Sequence, residues 1–371
     1  MVDLKGQYAS IADEVKAGMK EVMETTAFIN GPQVGAFQKD LEDYLKVKHV
    51  IPCANGTDAL QIALMTLGLE PGDEVITTDF TFAATVEVIG LLRLKPILVD
   101  VELETFNIAP EEVEKAITSK TKAIIPVHLF GQVANMSAIL KIAKKHKIHV
   151  VEDNAQAIGA TYTFEDGTTA KAGTMGTVGT TSFFPSKNLG AYGDGGALFT
   201  NNDELAYRIR GIVNHGMYRR YYHDVIGVNS RLDSLQAVIL KVKLQYLDSY
   251  NERRRSAAVH YTRLLKDNPH IETPKIVGTA ASHVFHQYTL CIKNGKRDAL
   301  VNHLNENNIS CAIYYPVPLH AQQAYASTEY NEAHFEITNQ LVKEVISLPM
   351  HTELTPEQIT HISEHILRFL E

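Results

Sequence analysis

The chain has 371 residues, 45% of them hydrophobic, and carries 35 Lys+Arg against 43 Asp+Glu for a formal net charge of −8. That length suits two domains, or one large domain with a smaller unit, and it excludes a disulfide mini-protein. The acidic balance argues against general nucleic-acid binding, which demands a surplus of Lys and Arg, but leaves room for a local pocket for one anionic small molecule.

Along the chain, Phe37, Leu41 and Leu45 recur every four residues and predict an amphipathic helix. Residues 49–51 read as a short strand, and residues 59–67, apolar on nearly all faces, as a buried helix. Short β-branched or apolar runs at 74–78, 96–101, 122–127, 148–152, 180–184 and 196–200 predict further strands. Val113 and Ile117 follow Pro110, a residue suited to a first helical turn. Strands alternating with helices predict an α/β fold, with a mostly parallel sheet covered on both faces. Residues 232–265 contain neither Gly nor Pro and predict one long helix or two abutting ones. Beyond it, 283–293 and 310–315 read as strands and 296–307 and 356–370 as helices, a smaller α+β unit. The division is placed near residue 245, giving a large domain of 1–245 and a small one of 246–371.

In open α/β sheets, ligands gather at the carboxyl ends of the strands. After residues 49–51 comes Asn55-Gly56-Thr57-Asp58. A Gly and a Thr at a helix start offer N–H groups and a hydroxyl to a phosphate, although the same residues also make a plain helix cap. The pattern G-x-G-x-x-G is absent there, which argues against a nicotinamide enzyme. After residues 148–151 comes Glu152-Asp153-Asn154-Ala155-Gln156. An acid at the tip of a buried strand needs a partner, such as an Arg, a metal or a protonated ring nitrogen, unless it serves as a helix cap. After residues 180–184, Lys187 stands between a strand end and a glycine-dense loop through Gly190, Gly193, Gly195 and Gly196. A lone Lys is usually a solvated charge, but a desolvated one has a lowered pKa and acts as an amine nucleophile. A phosphate cradle, an acid for a pyridinium nitrogen and a Schiff-base lysine are together what pyridoxal 5'-phosphate requires.

Several stretches resemble the DegT-type sugar aminotransferases. They are Asn55-Gly56-Thr57-Asp58-Ala59-Leu60, Phe80-Thr81-Phe82-Ala83-Ala84-Thr85, Glu152-Asp153-Asn154-Ala155-Gln156 and Ser182-Phe183-Phe184-Pro185-Ser186-Lys187. Gly193-Asp194-Gly195-Gly196, Gly227-Val228-Asn229-Ser230-Arg231-Leu232-Asp233 and Tyr315-Pro316-Val317-Pro318-Leu319-His320 extend the likeness over nearly the whole chain. The resemblance implies the type I aminotransferase fold, pyridoxal phosphate as cofactor (pyridoxamine phosphate in the second half-reaction), and a homodimer with shared active sites. It implies Lys187 as the cofactor-bearing lysine, Asp153 as partner of the ring nitrogen, Gln156 beside the ring and Phe82 stacked on it. Gly56, Thr57 and Ser182 match the phosphate cradle, with Asp58 adjacent, and Asn229 matches a phosphate contact from the second subunit. The dehydratases of this fold carry His where this chain has Lys187, so transamination is expected.

Within the family, the chain is similar to the UDP-2-acetamido-2-deoxy-3-oxo-glucuronate aminotransferases of O-antigen and related pathways, which use L-glutamate and a nucleotide-linked keto sugar. Those enzymes tend to have His-Tyr where this chain has Tyr314-Tyr315. Arg231 is then the expected group for a substrate carboxylate, with Tyr314 and Tyr315 beside the substrate. Arg219-Arg220 with Tyr221-Tyr222 reads either as a grip on a nucleotide diphosphate or as a surface or dimer-contact loop. Amination of a dTDP-3-keto sugar or an NDP-4-keto-6-deoxy sugar is the alternative, and a non-catalytic cofactor-binding regulator is the reading of another class.

His128 reads as a satisfied histidine at a strand end rather than a site residue. Residues 144–147 read as a solvated helix end, and Arg253-Arg254-Arg255 as a solvated or domain-bridging face. No H-E-x-x-H or other metal spacing occurs, so no catalytic metal is expected. Cys53, Cys291 and Cys311 are widely spaced and odd in number, which fits core thiols of a reducing compartment. No apolar run is long enough to span a bilayer and no apolar signal core follows Met1, so the chain reads as soluble and cytoplasmic.

Overall fold

The computed structural model describes residues 1–371. Two helices, α1 (Leu4–Thr25) and α2 (Pro32–Leu45), precede the first strand. The Phe37, Leu41 and Leu45 stripe is the buried face of α2. The chain then alternates β1 (His49–Cys53), α3 (Gly56–Thr66), β2 (Glu74–Thr78), α4 (Ala84–Leu91), β3 (Lys95–Val99), α5 (Pro110–Ala116), β4 (Thr121–Ile125), α6 (Met136–His146) and β5 (His149–Asp153). A small hairpin of β6 (Thr161–Thr163) and β7 (Thr169–Lys171) follows, then β8 (Val178–Ser182), β9 (Gly196–Thr200) and α7 (Asp203–Ile212). A second hairpin, β10 (Met217–Arg219) and β11 (Tyr222–His223), stands before α8 (Ser234–Leu244).

Seven strands form one sheet in the order β1-β9-β8-β5-β4-β2-β3. Pairing is parallel from β8 to β3, and β9 is antiparallel to both its neighbours. Only β9 runs against the rest, so β1, β2, β4, β5 and β8 all end on the same edge. Successive strand residues point to opposite faces, and both faces are covered. Val75, Ala123, Val151 and Leu198 pack under α3, α4 and α7. On the other face, Ile76, Ile124 and Val150 pack on α5 and α6, while Val50, Ala197 and Phe199 pack on α2 and α8.

The remaining chain is α9 (Leu247–Leu265), β12 (Ile271–Glu272), β13 (Tyr288–Ile292), α10 (Arg297–Glu306), α11 (Glu336–Glu344), β14 (Val345–Leu348) and α12 (Pro356–Leu370). The three strands make a small antiparallel sheet. Tyr261, Leu265, Leu300, Leu304, Ile362 and Ile366 of α9, α10 and α12 cover it. The start of α12 is set by Pro356 and by the reciprocal Thr355–Gln358 capping box. No helix is long and apolar enough to cross a membrane.

Several expected elements are corrected. The Gly- and Pro-free run is not among them: it forms two abutting helices, one of its two expected forms, and the break falls where the N–H groups of Gln245 and Tyr246 bond only three residues back, to Val242 and Lys243. The expected strand at 180–184 is displaced to Val178–Ser182, since Phe183 already turns into the loop, where its N–H meets the Gly195 carbonyl. No strand forms over 310–315. Only Ala312 bridges to Ser347, and Pro316 and Pro318, which lack N–H donors, lead the chain away from the sheet edge. The expected strand at 283–293 shrinks to its second half, β13. Strand β14 was hidden because it follows α11 with no turn residue between them.

Candidate active site

The carboxyl edge of the large sheet gathers the chemistry. At the end of β1, Asn55 caps α3 by accepting the Asp58 N–H on its side chain at 2.8 Å. The amides of Gly56 and Thr57 then have no acceptor in the chain. A Cβ on Gly56 would lie 2.6 Å from the Ser182 Cβ and 3.2 Å from its hydroxyl oxygen. Glycine therefore lets the start of this eleven-residue helix, its positive dipole end, approach the end of β8 closely.

Lys187 stands on the turn that follows β8. Its backbone N–H donates to the Phe184 carbonyl at 2.8 Å, and the Ala191 N–H returns to the Phe183 carbonyl at 2.8 Å. Burial of the amine pushes its pKa down to about 8, against the opposing pull of the Asp153 charge. The side chain has no ion-pair partner, so a neutral amine is accessible near physiological pH.

Asp153 ends β5, buried, with one oxygen accepting the Thr85 hydroxyl at 2.9 Å and the other the Ala155 N–H at 3.1 Å. A carboxylate offers about four acceptor sites, so these two donors leave capacity for an outside N–H. Gln156 accepts the Phe130 N–H at 2.7 Å and donates to the Tyr315 hydroxyl at 3.3 Å. Burial pushes the Tyr315 hydroxyl up, so it stays protonated. Phe82 tilts over Tyr315 with ring centroids 6.4 Å apart, yet is 59% exposed. A large apolar ring left open beside a buried acid and an amine is a surface for a planar ligand to cover.

Glu152, one residue before Asp153, points to the opposite face of the sheet and does a different job. Its carboxylate accepts the N–H groups of Gly173 at 2.8 Å and Met175 at 2.6 Å, and that of Gly176. The fourth donor is His128. The Ala134 N–H occupies the His128 Nδ1, so the proton lies on Nε2 and is donated to Glu152 at 2.9 Å. His128 is thus a satisfied core histidine, as the sequence suggested. Glu152→Gln places an amide NH₂ against these donors and should cost about 2–4 kcal/mol, read as a shifted urea midpoint.

Other expected residues lie around this cluster without joining it in one chain. The Ser230 hydroxyl accepts the Ala54 N–H at 3.0 Å, which lays the segment through Asn229 and Arg231 beside the β1 end. Asn229 is exposed, and Arg231 is half-buried with no hydrogen bond or ion pair. Tyr314 is half-buried against Tyr315 at a ring distance of 6.0 Å. Arg219 and Tyr221 sit on the exposed β10–β11 hairpin, where Arg219 covers the Tyr222 ring and Arg220 reaches the Tyr221 hydroxyl. They make no contact there with the Lys187 turn.

Residues 9–367 match the DegT/DnrJ/EryC1/StrS aminotransferase family. The chain belongs to this family. It is 49% identical, over all of its length and 98% of the relative's, to a pleiotropic regulatory protein of Geobacillus stearothermophilus. It is 44% identical to a UDP-2-acetamido-2-deoxy-3-oxo-D-glucuronate aminotransferase of Pseudomonas aeruginosa, over 96% of each chain. A UDP-N-acetyl-3-dehydro-alpha-D-glucosamine 3-aminotransferase of Acidithiobacillus ferrooxidans is 42% identical, over all of this chain and 97% of the relative. Among solved structures, a family aminotransferase from Brucella abortus superposes with a TM-score of 0.94 at 39% identity, covering 99% of this chain and 98% of that one. NtdA from Bacillus subtilis, solved with bound PMP, gives 0.89 at 31% identity, covering 97% and 82%. The chain has the fold of this aminotransferase family, and the family implies pyridoxal phosphate as its cofactor.

The residues present fit that cofactor. The two unclaimed amides suit a phosphate, the spare acceptor capacity of Asp153 suits a ring N–H, and the open face of Phe82 suits a ring. Sequence reading missed four supporting groups. Thr85 fixes Asp153, although it lies inside the Phe80-to-Thr85 stretch. Asp79 accepts both the N–H and the ring Nδ1–H of His320, at 2.7 and 2.6 Å, tying the loop before Phe82 to the loop after Tyr315. His286 is buried near Lys187 and held well below its ordinary pKa by burial, then by the Lys187 and Arg254 charges. Lys243 is buried behind the lysine turn. None of the last three carries a local motif, because its meaning comes from a contact across the fold.

Proposed function

We propose that the chain transfers the amino group of L-glutamate to the C3 keto group of a nucleotide-linked sugar. The first candidate is UDP-2-acetamido-2-deoxy-3-oxo-glucuronate or a related 3-keto sugar, destined in the cytoplasm for cell-surface polysaccharide such as O-antigen. The observation that carries the reading is the Lys187 amine, pushed down to about 8 by burial, beside the buried Asp153. Pyridoxal phosphate, when bound, supplies an electron sink that lets a Cα proton leave. Gly56, Thr57 and Ser182 hold its phosphate, with Asp58 beside them, and Phe82 covers its ring. Asp153 holds a proton on the ring nitrogen, and Gln156 lies at the ring edge with Tyr315. Lys187 anchors the cofactor covalently. Once displaced by the amino donor, its amine would take the Cα proton and deliver it to the cofactor's C4′, two atoms away across the nitrogen.

In this reading residues 1–245 carry the cofactor and residues 246–371 form a smaller unit beside it. The chain works as a homodimer, in which Asn229 serves the phosphate and Arg231 a carboxylate of a second copy's site. Arg219 and Tyr221 meet the nucleotide, and Tyr314 the sugar. The unpartnered Arg231 and the exposed apolar side chains support the dimer: Ile226 is 88% and Tyr221 75% exposed, and Phe28 and Ile29 are exposed as well. Pyridoxamine phosphate formed with glutamate should be converted back by 3-keto nucleotide sugars, followed by absorbance. Turnover of 4-keto sugars alone would overturn the C3 assignment. The regulatory designation of the Geobacillus relative favours a second reading, a cofactor-binding regulator, which predicts bound cofactor with no turnover on any keto sugar.

A further inference from the structure

A lysine ammonium is costly to bury, and natural cores seldom hold one without a carboxylate. Lys243 on α8 is 1% exposed and has no carboxylate partner. Its amine donates to the Gly190 carbonyl at 2.8 Å and lies 4.6 Å from the centroid of the Tyr192 ring. A methionine would fill the same space without the desolvation cost, so core filling does not account for a lysine here.

Gly190 is three residues beyond Lys187, at the base of the turn that presents the amine. A Cβ on Gly190 would collide with the Pro185 carbonyl, so the two limbs of the turn run against each other there. The near limb is held separately. Asn188 donates to the Asn251 side chain at 2.8 Å and to the Val284 carbonyl at 3.0 Å. Its oxygen accepts from the His286 ring at 3.3 Å. Arg254 in turn holds the Phe285 and His286 carbonyls at 3.1 and 3.3 Å. The far limb has two side-chain anchors, both from α8: Gln236 accepts the Tyr192 N–H at 2.9 Å, and Lys243 alone holds the Gly190 carbonyl at the base of the turn.

We propose that Lys243 is a positioning residue for Lys187, its ammonium holding the Gly190 carbonyl and so fixing the base of the turn from which the catalytic amine reaches the cofactor. An amine that must leave one bond and then move a proton between two carbons separated by a nitrogen needs a fixed root. Misplacement by about 1 Å costs on the order of 10²-fold in rate. The inference rests on Lys187 being the catalytic amine.

The test compares the holoenzyme with Lys243→Met, which conserves volume and removes the donor, and Lys243→Gln, which keeps an N–H donor. In Lys243→Met, hydrogen exchange at the amides of Lys187 and Ala191 should accelerate at least tenfold, while amides of β5 and β8 stay protected. Its kcat should fall about tenfold or more with the KM for glutamate within twofold, and Lys243→Gln should recover part of both losses. Unchanged exchange at the turn, or kcat within twofold of wild type, would overturn the proposal. So would failure of both variants to fold, since the lysine would then support the whole fold rather than the turn. Exchange at the turn is read without turnover, so it separates this inference from the assignment of Lys187 itself, which fails if Lys187→Ala retains activity.

Discussion

Replacing Lys187 with alanine should abolish the visible absorbance of the covalently held cofactor and lower turnover by on the order of 10³-fold or more. Two roles disappear together, the covalent anchor and the group that moves the Cα proton, and positioned acid–base catalysis alone is worth about 10²–10⁴-fold. The phosphate cradle remains, so the cofactor still binds, with the spectrum of the free aldehyde. The same residue offers a pH signature. Burial disfavours the ammonium and pushes the amine down to about 8, whereas Asp153 pulls the other way. In cofactor-free protein, modification of Lys187 by an amine reagent should therefore reach half its maximal rate near pH 8, well below the ordinary lysine range. A midpoint among the surface lysines, or an alanine variant that still absorbs and turns over, would remove the residue from the reaction.

Asp153→Asn should separate charge from shape. The Asn oxygen can keep one of the two donors, the Thr85 hydroxyl or the Ala155 N–H, so the end of β5 stays in place. What is lost is the negative charge that holds a proton on the ring nitrogen. Preorganised charges of this kind are worth about 10²–10³-fold in rate. The variant should bind cofactor with its absorbance intact but run the glutamate half-reaction on the order of 10²-fold more slowly. A rate within threefold of wild type would show that another group carries the charge. The contrast with Lys187→Ala is diagnostic, since one variant loses the covalent bond and the other keeps it.

Much of the fold was legible because its signals are local. The bounds of β2, β9 and α12 follow from short apolar runs with clear ends, and α12 has its own capping box. The buried stripe of α2 is a plain four-residue period. Failures occurred where neighbours decide. Residues 310–315 have a strand-like composition, but the edge they would pair with is touched only at Ala312. Arg253-Arg254-Arg255 looks like one charged face, yet Arg254 turns inward to hold three backbone carbonyls while Arg253 stays exposed.

The alternation of strands and helices is written in the chain's local pattern, and with it the edge at which Gly56, Asp153, Ser182 and Lys187 meet. The sequence also determined the kinds of group on offer there, namely amides at a helix start, an acid, an aromatic ring and an amine. Strand periodicity could not choose between the adjacent acids Glu152 and Asp153, which differ by one step of a two-residue period; the resemblance pointed to Asp153, and the tertiary structure shows why, with Glu152 spent on donors of the opposite face. The tertiary structure alone decided that the Lys187 amine is desolvated and that Thr85, Asp79–His320 and Lys243 hold the machinery in place. Burial and contacts across more than fifty residues are sums over the whole fold, and no local stretch of chain records them.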